Sequence, residues 1–327
     1  MRGQTPFCRG LGCVACRAQA EAVLRPGRLS VTNHHHHQSF SARRRLGSGH
    51  AAADGRAGAD CQASGRSGDE IGRGRRRRGA IAANAKPDGY TLLSHITSIS
   101  GFAEVDRLFG RTPKFTRDNF IPIARFVADP CVIIVNDQTP YRTLQEFSDD
   151  ARKRPDELIF SSSGLYGALH IPMALYMKAA GLKLRHLPTQ GGGPALTALL
   201  GNNAQALCSS ISACLAQVKA GKVRPLASFG GKRSKALPDV PTMKELGYDL
   251  EYYLWVGMFA PRGTPDNAIA YLRQAMRQAA HTDQFKSALT NLGQELEYMD
   301  QPEFQAFWDA DARRIEAAVQ QIGRVDG

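Results

Sequence analysis

The chain has 327 residues, 43% of them apolar, which is enough for two domains with buried cores. A formal charge of +12 suggests nucleic acid or an anionic surface, but residues 1–79 hold 15 Arg, no Lys and 5 acids, a net of +10, leaving 27 basic against 25 acidic residues for 80–327. The body is therefore nearly neutral, and its longest apolar run, Cys131 to Val135, is far shorter than the roughly 18 residues of a membrane-spanning helix.

In chain order, the opening MRGQTPFCRGLGCVACRAQAEA does not read as a secretory signal, because Arg2, Arg9 and Arg17 with interspersed Gly interrupt any apolar core. The pair Cys13 and Cys16 has no second pair or His at ligand spacing, and His34 to His37 sit in Arg/Gly/Ser text with nothing to orient them; no metal or other cofactor is expected. The body cysteines, Cys131, Cys208 and Cys214, neither require nor exclude an oxidising compartment.

Residues 1–79 have two readings, and both leave the segment unstructured. One is a disordered basic tail. The other is GC-rich coding DNA read out of frame. If His37 to Arg43 is written CAT CAG TCC TTT TCC GCC CGG, a start one nucleotide later gives Ile-Ser-Pro-Phe-Pro-Pro-Gly. The histidines become an Ile strand, Leu29 to Val31 becomes Tyr-Pro-Ser, and Arg75 to Arg78 become glycines leading into the in-frame Gly79 to Ala82.

From Ala80 onward the pattern is that of a globular chain. Tyr90 to Ile96 predicts a short buried strand after the turn Pro87-Asp88-Gly89, and the β-branched run Cys131 to Val135 predicts another. Thr143 to Arg154 has helical spacing at Leu144, Phe147 and Ala151, stopped by Pro155. Leu158 to Phe160 is a strand; Ser161 to Gly164 is a turn feeding a helix that Gly181 closes in the left-handed conformation. Pro194 opens a further helix and Gly201 ends it. Alternating strands and helices predict an α/β fold with parallel sheets.

Catalytic motifs are missing. There is no Gly-x-Ser-x-Gly elbow, P-loop, H-E-x-x-H or opposed carboxylate pair, so no enzyme is expected. His95, His170, His186 and His281 are far apart in sequence, although folding can bring two together.

Five segments carry a resemblance in one order: PDGYTLL at 87–93, GGGPALTALLGN at 191–202, VKAGKVRPLA at 218–227, KRSKALPDVPTMKELGY at 232–248 and GMFAPRGTP at 257–265. Over about 80–327 the chain resembles the Bug-type extracytoplasmic substrate-binding proteins of tripartite tricarboxylate transporters. The resemblance implies a two-lobed α/β, periplasmic-binding-protein-like (type II, flytrap) fold with parallel-rich sheets, its first lobe incomplete. It places 80–127 with 226–327 in lobe 1 and 128–225 in lobe 2, with crossings near 124–129 and 226–231. It also implies a monomer that captures a small carboxylate and passes it to the membrane permease subunits of the transporter, in the periplasm; translated literally, without a signal, the chain would stay in the cytoplasm.

Ligands of open parallel sheets bind beyond the carboxyl ends of strands, where helix N-termini offer N–H groups and partial positive charge to an anion. Three turns fit: Thr97, Ser98 and Ser100 before Gly101; Ser162, Ser163 and Gly164; and Gly192 and Gly193 after Gly191. Ordinary caps and turns have the same composition. The resemblance adds Ser209 and Ser210, where the family carries Asp-Asn; without the acid, a plain carboxylate fits better than an amine-bearing ligand. It expects Ser and Thr hydroxyls where this chain has Gly167, Ala168 and Leu169. His170 reads as a packed histidine, and Tyr252 and Trp255 as core or at most pocket rim. The rival readings are a cytoplasmic, basic-tailed binder of nucleic acid or anionic surfaces, and the effector domain of a regulator, for which 1–79 shows no helix-turn-helix pattern.

Overall fold

The computed structural model describes residues 30–32 and 69–325; the histidine run and the rest of 1–68 lie outside the described residues. Strand β1 (Ser30–Thr32) pairs in parallel with β2 (Thr91–Ile96), Val31 opposite Leu92. Helix α1 (Asp69–Ala83) precedes β2, and one 3₁₀ turn, Thr97–Ser100, leads into α2 (Phe102–Leu108).

The expectation that all of 1–79 is unstructured is therefore corrected for 30–32 and 69–79. Two contacts explain the helix. Arg76 ion-pairs with Asp106, its guanidinium 5.7 Å from the Phe102 ring centroid. Gly79 admits the Phe115 ring so closely that a Cβ there would lie 2.4 Å from it. Nor are the neighbours of the opening strand left bare, since Leu92 and Leu93 are buried.

The next strand, β3 (Phe120–Asn136), is far longer than the expected Cys131 to Val135 and runs through the first expected crossing. Then follow α3 (Leu144–Lys153), β4 (Ile159–Ser162), α4 (Ile171–Ala180), β5 (Arg185–Pro188), α5 (Gly192–Leu200), β6 (Ala206–Ser210), α6 (Ile211–Lys219) and β7 (Val223–Ser228). Helix α3 starts where its signals predict: Thr143 Oγ1 accepts from the Glu146 amide at 3.2 Å and Glu146 Oε2 from the Thr143 amide at 3.2 Å, a reciprocal cap, with Leu144, Phe147 and Ala151 buried. Gly181 ends α4 at φ 64°, also as predicted. The chain closes with β8 (Tyr253–Pro261), α7 (Asp266–Ala280), α8 (Asp283–Asn291), β9 (Met299–Asp300) and α9 (Glu303–Ile322).

The strands run β1-β2-β8-β3-β6-β4-β5, with β7 and β9 also on β3. Parallel pairing occupies the two ends, β1 with β2 and β4 with both β5 and β6, while β3 is antiparallel to all its partners. Its first part pairs with β8 as far as Pro130 opposite Tyr253; its second pairs with β6 from Cys131 opposite Ser210. Proline has no amide donor, so one ladder ends at Pro130 and the other begins beside it. Backbone bonds brace the changeover: Cys131 N to Tyr252 O, Phe229 N to Cys131 O and Tyr252 N to Phe229 O.

Separate cores lie on the two parts. Leu93, Phe102, Phe115, Trp255 and Phe259 belong to one on the first part and Cys131, Ile133, Phe147, Phe160 and Tyr176 to one on the second, each part carrying a further cluster, around Phe126 and around Leu207. Helix α9 enters both, burying Phe304 and Trp308 in the first and Ile315 and Val319 in the second. No described helix is long and apolar enough to cross a membrane.

Candidate functional site

At the carboxyl end of β2, Thr97, Ser98 and Ser100 are all buried. Ser100 is not open to a ligand: its Oγ donates to Asp311 Oδ2 at 2.7 Å, and Trp255 Nε1 donates to the same oxygen at 3.0 Å. Burial pushes the Asp311 carboxyl up from the ordinary carboxylate range, against the lowering by Ser100 and Trp255. Thr97 Oγ1 and Ser98 Oγ have no hydrogen-bond partner, and neither has the buried Tyr252 hydroxyl. Thr97 lies close enough to Tyr252 and Asp311 to counter the upward shift of both, without well-formed hydrogen-bond geometry to either.

At the end of β4, the Ser162 hydroxyl is also engaged. It lies 2.7 Å from His186 Nε2 and 3.2 Å from both the amide and the carbonyl of Gly164. With Ser162 donating to Gly164 O, His186 donates through Nε2–H and leaves Nδ1 as a bare acceptor, which costs less in a buried site than an orphaned N–H donor. The His186 ring stacks on Phe160 with centroids 4.8 Å apart, and His170 packs 4.6 Å from it. Folding thus brings together two of the four dispersed histidines. Burial lowers His186 to about 4; burial and then the neighbouring His186 lower His170 to about 3. The reading of His170 as packed holds, at 3% exposed.

Ser163 differs from its neighbour. It is 4% exposed and its Oγ has no partner. The turn beyond it is tighter than a direct entry into a helix: Gly164 has φ +110°, the Gly167 amide bonds Gly164 O at 3.0 Å, and α4 starts only at Ile171. This explains the hydroxyls absent after Gly164. A Cβ at Gly167 would lie 2.8 Å from Gly164 O and 3.0 Å from Ser163 Oγ, while Ala168 and Leu169 are buried in the core.

The third turn joins the second. The Thr189 amide donates to Ser162 O at 2.9 Å, its hydroxyl proton is shared between Ser162 O and the nearer Gly191 O at 2.7 Å, and Ser161 Oγ donates to Ala195 O at 2.9 Å, so Gly192 and Gly193, the first residues of α5, are fixed beside the end of β4.

The fourth position, Ser209 and Ser210, is engaged within the chain. Ser210 precedes α6 without a side-chain capping bond, and the group that meets that helix end is the carboxyl of Asp129, whose Oδ2 accepts from Ser212 N at 3.0 Å and Gln294 Nε2 at 3.2 Å. Ser209 Oγ turns to Ser210 O at 3.2 Å. The Ser210 hydroxyl lies 3.4 Å from Ser212 Oγ, and Asp129 meets one of the unpaired amides of the first turn.

Asp129 also borders an open groove of about 110 Å³ lined by Val127 to Pro130, Lys232 to Ala236, Tyr253, Gly293 to Glu295 and Glu297. None of the expected residues lines it, and pairs such as Lys235 with Glu295, 2.8 Å apart, already neutralise its charges. The buried hydroxyls of Thr97, Ser98, Ser163 and Tyr252, by contrast, are without a partner. A buried hydroxyl left unpaired costs about 1–3 kcal/mol, so such a set marks a place where polar partners belong. Of these, Tyr252 was visible in the sequence only as rim or core; Asp129, Asp311 and His186 gave no local signal, since each acts on residues distant in the chain. No group of three or more potential metal ligands occurs among the described residues.

A family model described as "Tripartite tricarboxylate transporter family receptor" matches residues 75–324. A Pseudomonas sp. (strain P51) protein, described as a UPF0065 protein in the tcbD-tcbE intergenic region, is 30% identical over 216 residues, 65% of this chain and 63% of the relative; the chain thus spans less than two thirds of that relative's length. The solved periplasmic binding protein BugD is similar with a TM-score of 0.69 and 26% identity, over 76% of this chain and 83% of that one. Rpa4515 of R. palustris, solved with adipate, gives 0.70 and 25% over 76% and 83%.

Proposed function

The chain belongs to the tripartite tricarboxylate transporter receptor family, and on that premise we propose that it is a solute-binding protein that captures a small carboxylate and hands it to the membrane component of such a transporter. Its fold is that of the periplasmic binding proteins. The observation that carries the reading is the set of unpaired, buried hydroxyls at the carboxyl ends of β2 and β4: Thr97, Ser98 and Ser163, with Tyr252 beside Thr97. Hydroxyls and the backbone amides of tight turns suit a carboxylate without Lys or Arg. Ser209 and Ser210 stand where the family carries Asp-Asn, and the loss of that acid favours a plain mono- or dicarboxylate over an amino acid. The neighbour solved with adipate supports a dicarboxylate of that size.

In this reading, 80–127 with 226–325 and the preceding α1 form one lobe and 128–225 the other, joined by β3, the Ser228 to Tyr253 connection and α9, which enters the cores of both. Ligand contacts to both lobes supply the free energy of closure. The protein acts in the periplasm as a receptor rather than as an enzyme.

The test is calorimetric titration of the purified chain with adipate, shorter and longer dicarboxylates, and amino acids. Dicarboxylate binding that weakens about 10-fold in Ser163→Ala or Thr97→Val is expected; no binding of any carboxylate, or affinity untouched in both variants, would overturn the proposal.

A further inference from the structure

Just past Ser163 and Gly164, Tyr166 holds φ +52°, a left-handed conformation that glycine adopts freely and tyrosine only against steric resistance. The side chain that imposes this is 4% exposed and reaches the end of the chain: its hydroxyl donates to Gly323 O at 2.6 Å and accepts from Val325 N at 3.0 Å. The same tail is stitched at other points. Lys178 of α4 donates to Gln321 O, and Arg324 Nε donates to Leu108 O at 2.7 Å. Phe109 joins the two attachments, its ring edge-on to Tyr166 at 5.8 Å and 5.9 Å from the Arg324 guanidinium.

We infer that residues 321–325 form a clasp that fastens the Ser162 to Gly167 loop to the end of α2, with Tyr166 as the positioning residue through which it acts. This rests on the reading of Ser163 and Gly164 as part of the carboxylate site. Tyr166 transmits position directly: the Gly167 amide bonds Gly164 O, so the turn cannot keep its shape if Tyr166 swings away. Because α2 follows the Thr97 to Ser100 turn, the tail ties together the elements behind both groups of ligand hydroxyls. A clasp made without ligand favours the arrangement the ligand needs, which raises apparent affinity by the fraction of molecules already in it.

The experiment compares the full chain with Tyr166→Phe, which keeps the buried ring and loses the hydroxyl, with a truncation after Ile322, and with both combined. Ligand-free amide exchange is read at 161–167 and at 316–322; adipate affinity and association rate are read alongside. Each single variant should exchange about 10-fold faster in the loop and bind adipate about 5-fold more weakly, through slower association, and the double variant should be no worse than either. Loop exchange unchanged in Tyr166→Phe, or effects that add in the double variant, would overturn the clasp. If the wild type binds no carboxylate, the function proposed above fails, while exchange still decides the clasp; if the truncated chain fails to fold, Tyr166→Phe decides it alone.

Discussion

Asp311 stands 211 residues from Ser100 and 56 from Trp255, yet one of its oxygens accepts from both. Removing that carboxylate leaves a hydroxyl and an indole N–H buried without acceptors, so Asp311→Ala should cost about 2–4 kcal/mol and lower the urea midpoint accordingly. Asp311→Asn keeps an acceptor oxygen and should recover about half of the loss. Equal midpoints for the alanine variant and the wild type would show that these bonds are not made in solution. Trp255 was legible as a core residue from its type and setting; its partner was not, because nothing local in a helix distinguishes Asp311 from Asp309, which pairs with Arg117 nearer the surface. Tyr166 is hidden for the same reason. A tyrosine next to glycines reads as a turn residue, and the tail that its hydroxyl reaches is 157 positions away.

Among the elements, β4, β5 and the start of α4 enclose the two histidines, and their titration gives the fold a dependence on pH. Both are held below the ordinary histidine value near 6.5, to about 4 for His186 and about 3 for His170, so between these values the unfolded chain binds protons that the folded chain does not. Their stabilisation is present above about pH 6.5 and is lost as pH falls toward 4. Asp129 and Asp311 are shifted upward by burial and act with the opposite sign, so the contribution must be isolated by difference. Replacing His186 by Phe keeps a ring against Phe160; between pH 7 and pH 4.5 the wild type should lose roughly 1–2 kcal/mol more stability in urea titrations than His186→Phe does. Parallel losses would remove His186 from the account. At this scale the sequence was readable where its signals are local. The Thr143 to Arg154 helix and the Gly181 stop emerge, and the helix expected from Pro194 starts two residues earlier, at Gly192. The 17-residue β3 does not, because Pro122 and Pro130 read as breaks, whereas here Pro130 marks the changeover from one ladder to the other.

Across the whole molecule, the +12 charge divides into a basic first quarter and a body that is nearly neutral. Even in the first part, Arg76 is committed to Asp106 and Phe102 rather than free to meet a polyanion. The carboxylate site proposed at the ends of β2 and β4 is built from hydroxyls and turn amides, with no Lys or Arg among its proposed contacts. Attraction of that kind acts over hydrogen-bond distance and is little screened, whereas phosphate contacts by arginines lose affinity steeply with added salt. Adipate affinity should therefore change less than about 3-fold between 50 and 500 mM NaCl. Binding should also draw the two parts joined by β3 together, seen as a smaller radius of gyration in small-angle scattering. A steep loss of affinity with salt, or binding without compaction, would place the ligand on the charged surface of the chain instead of between the two cores that α9 spans.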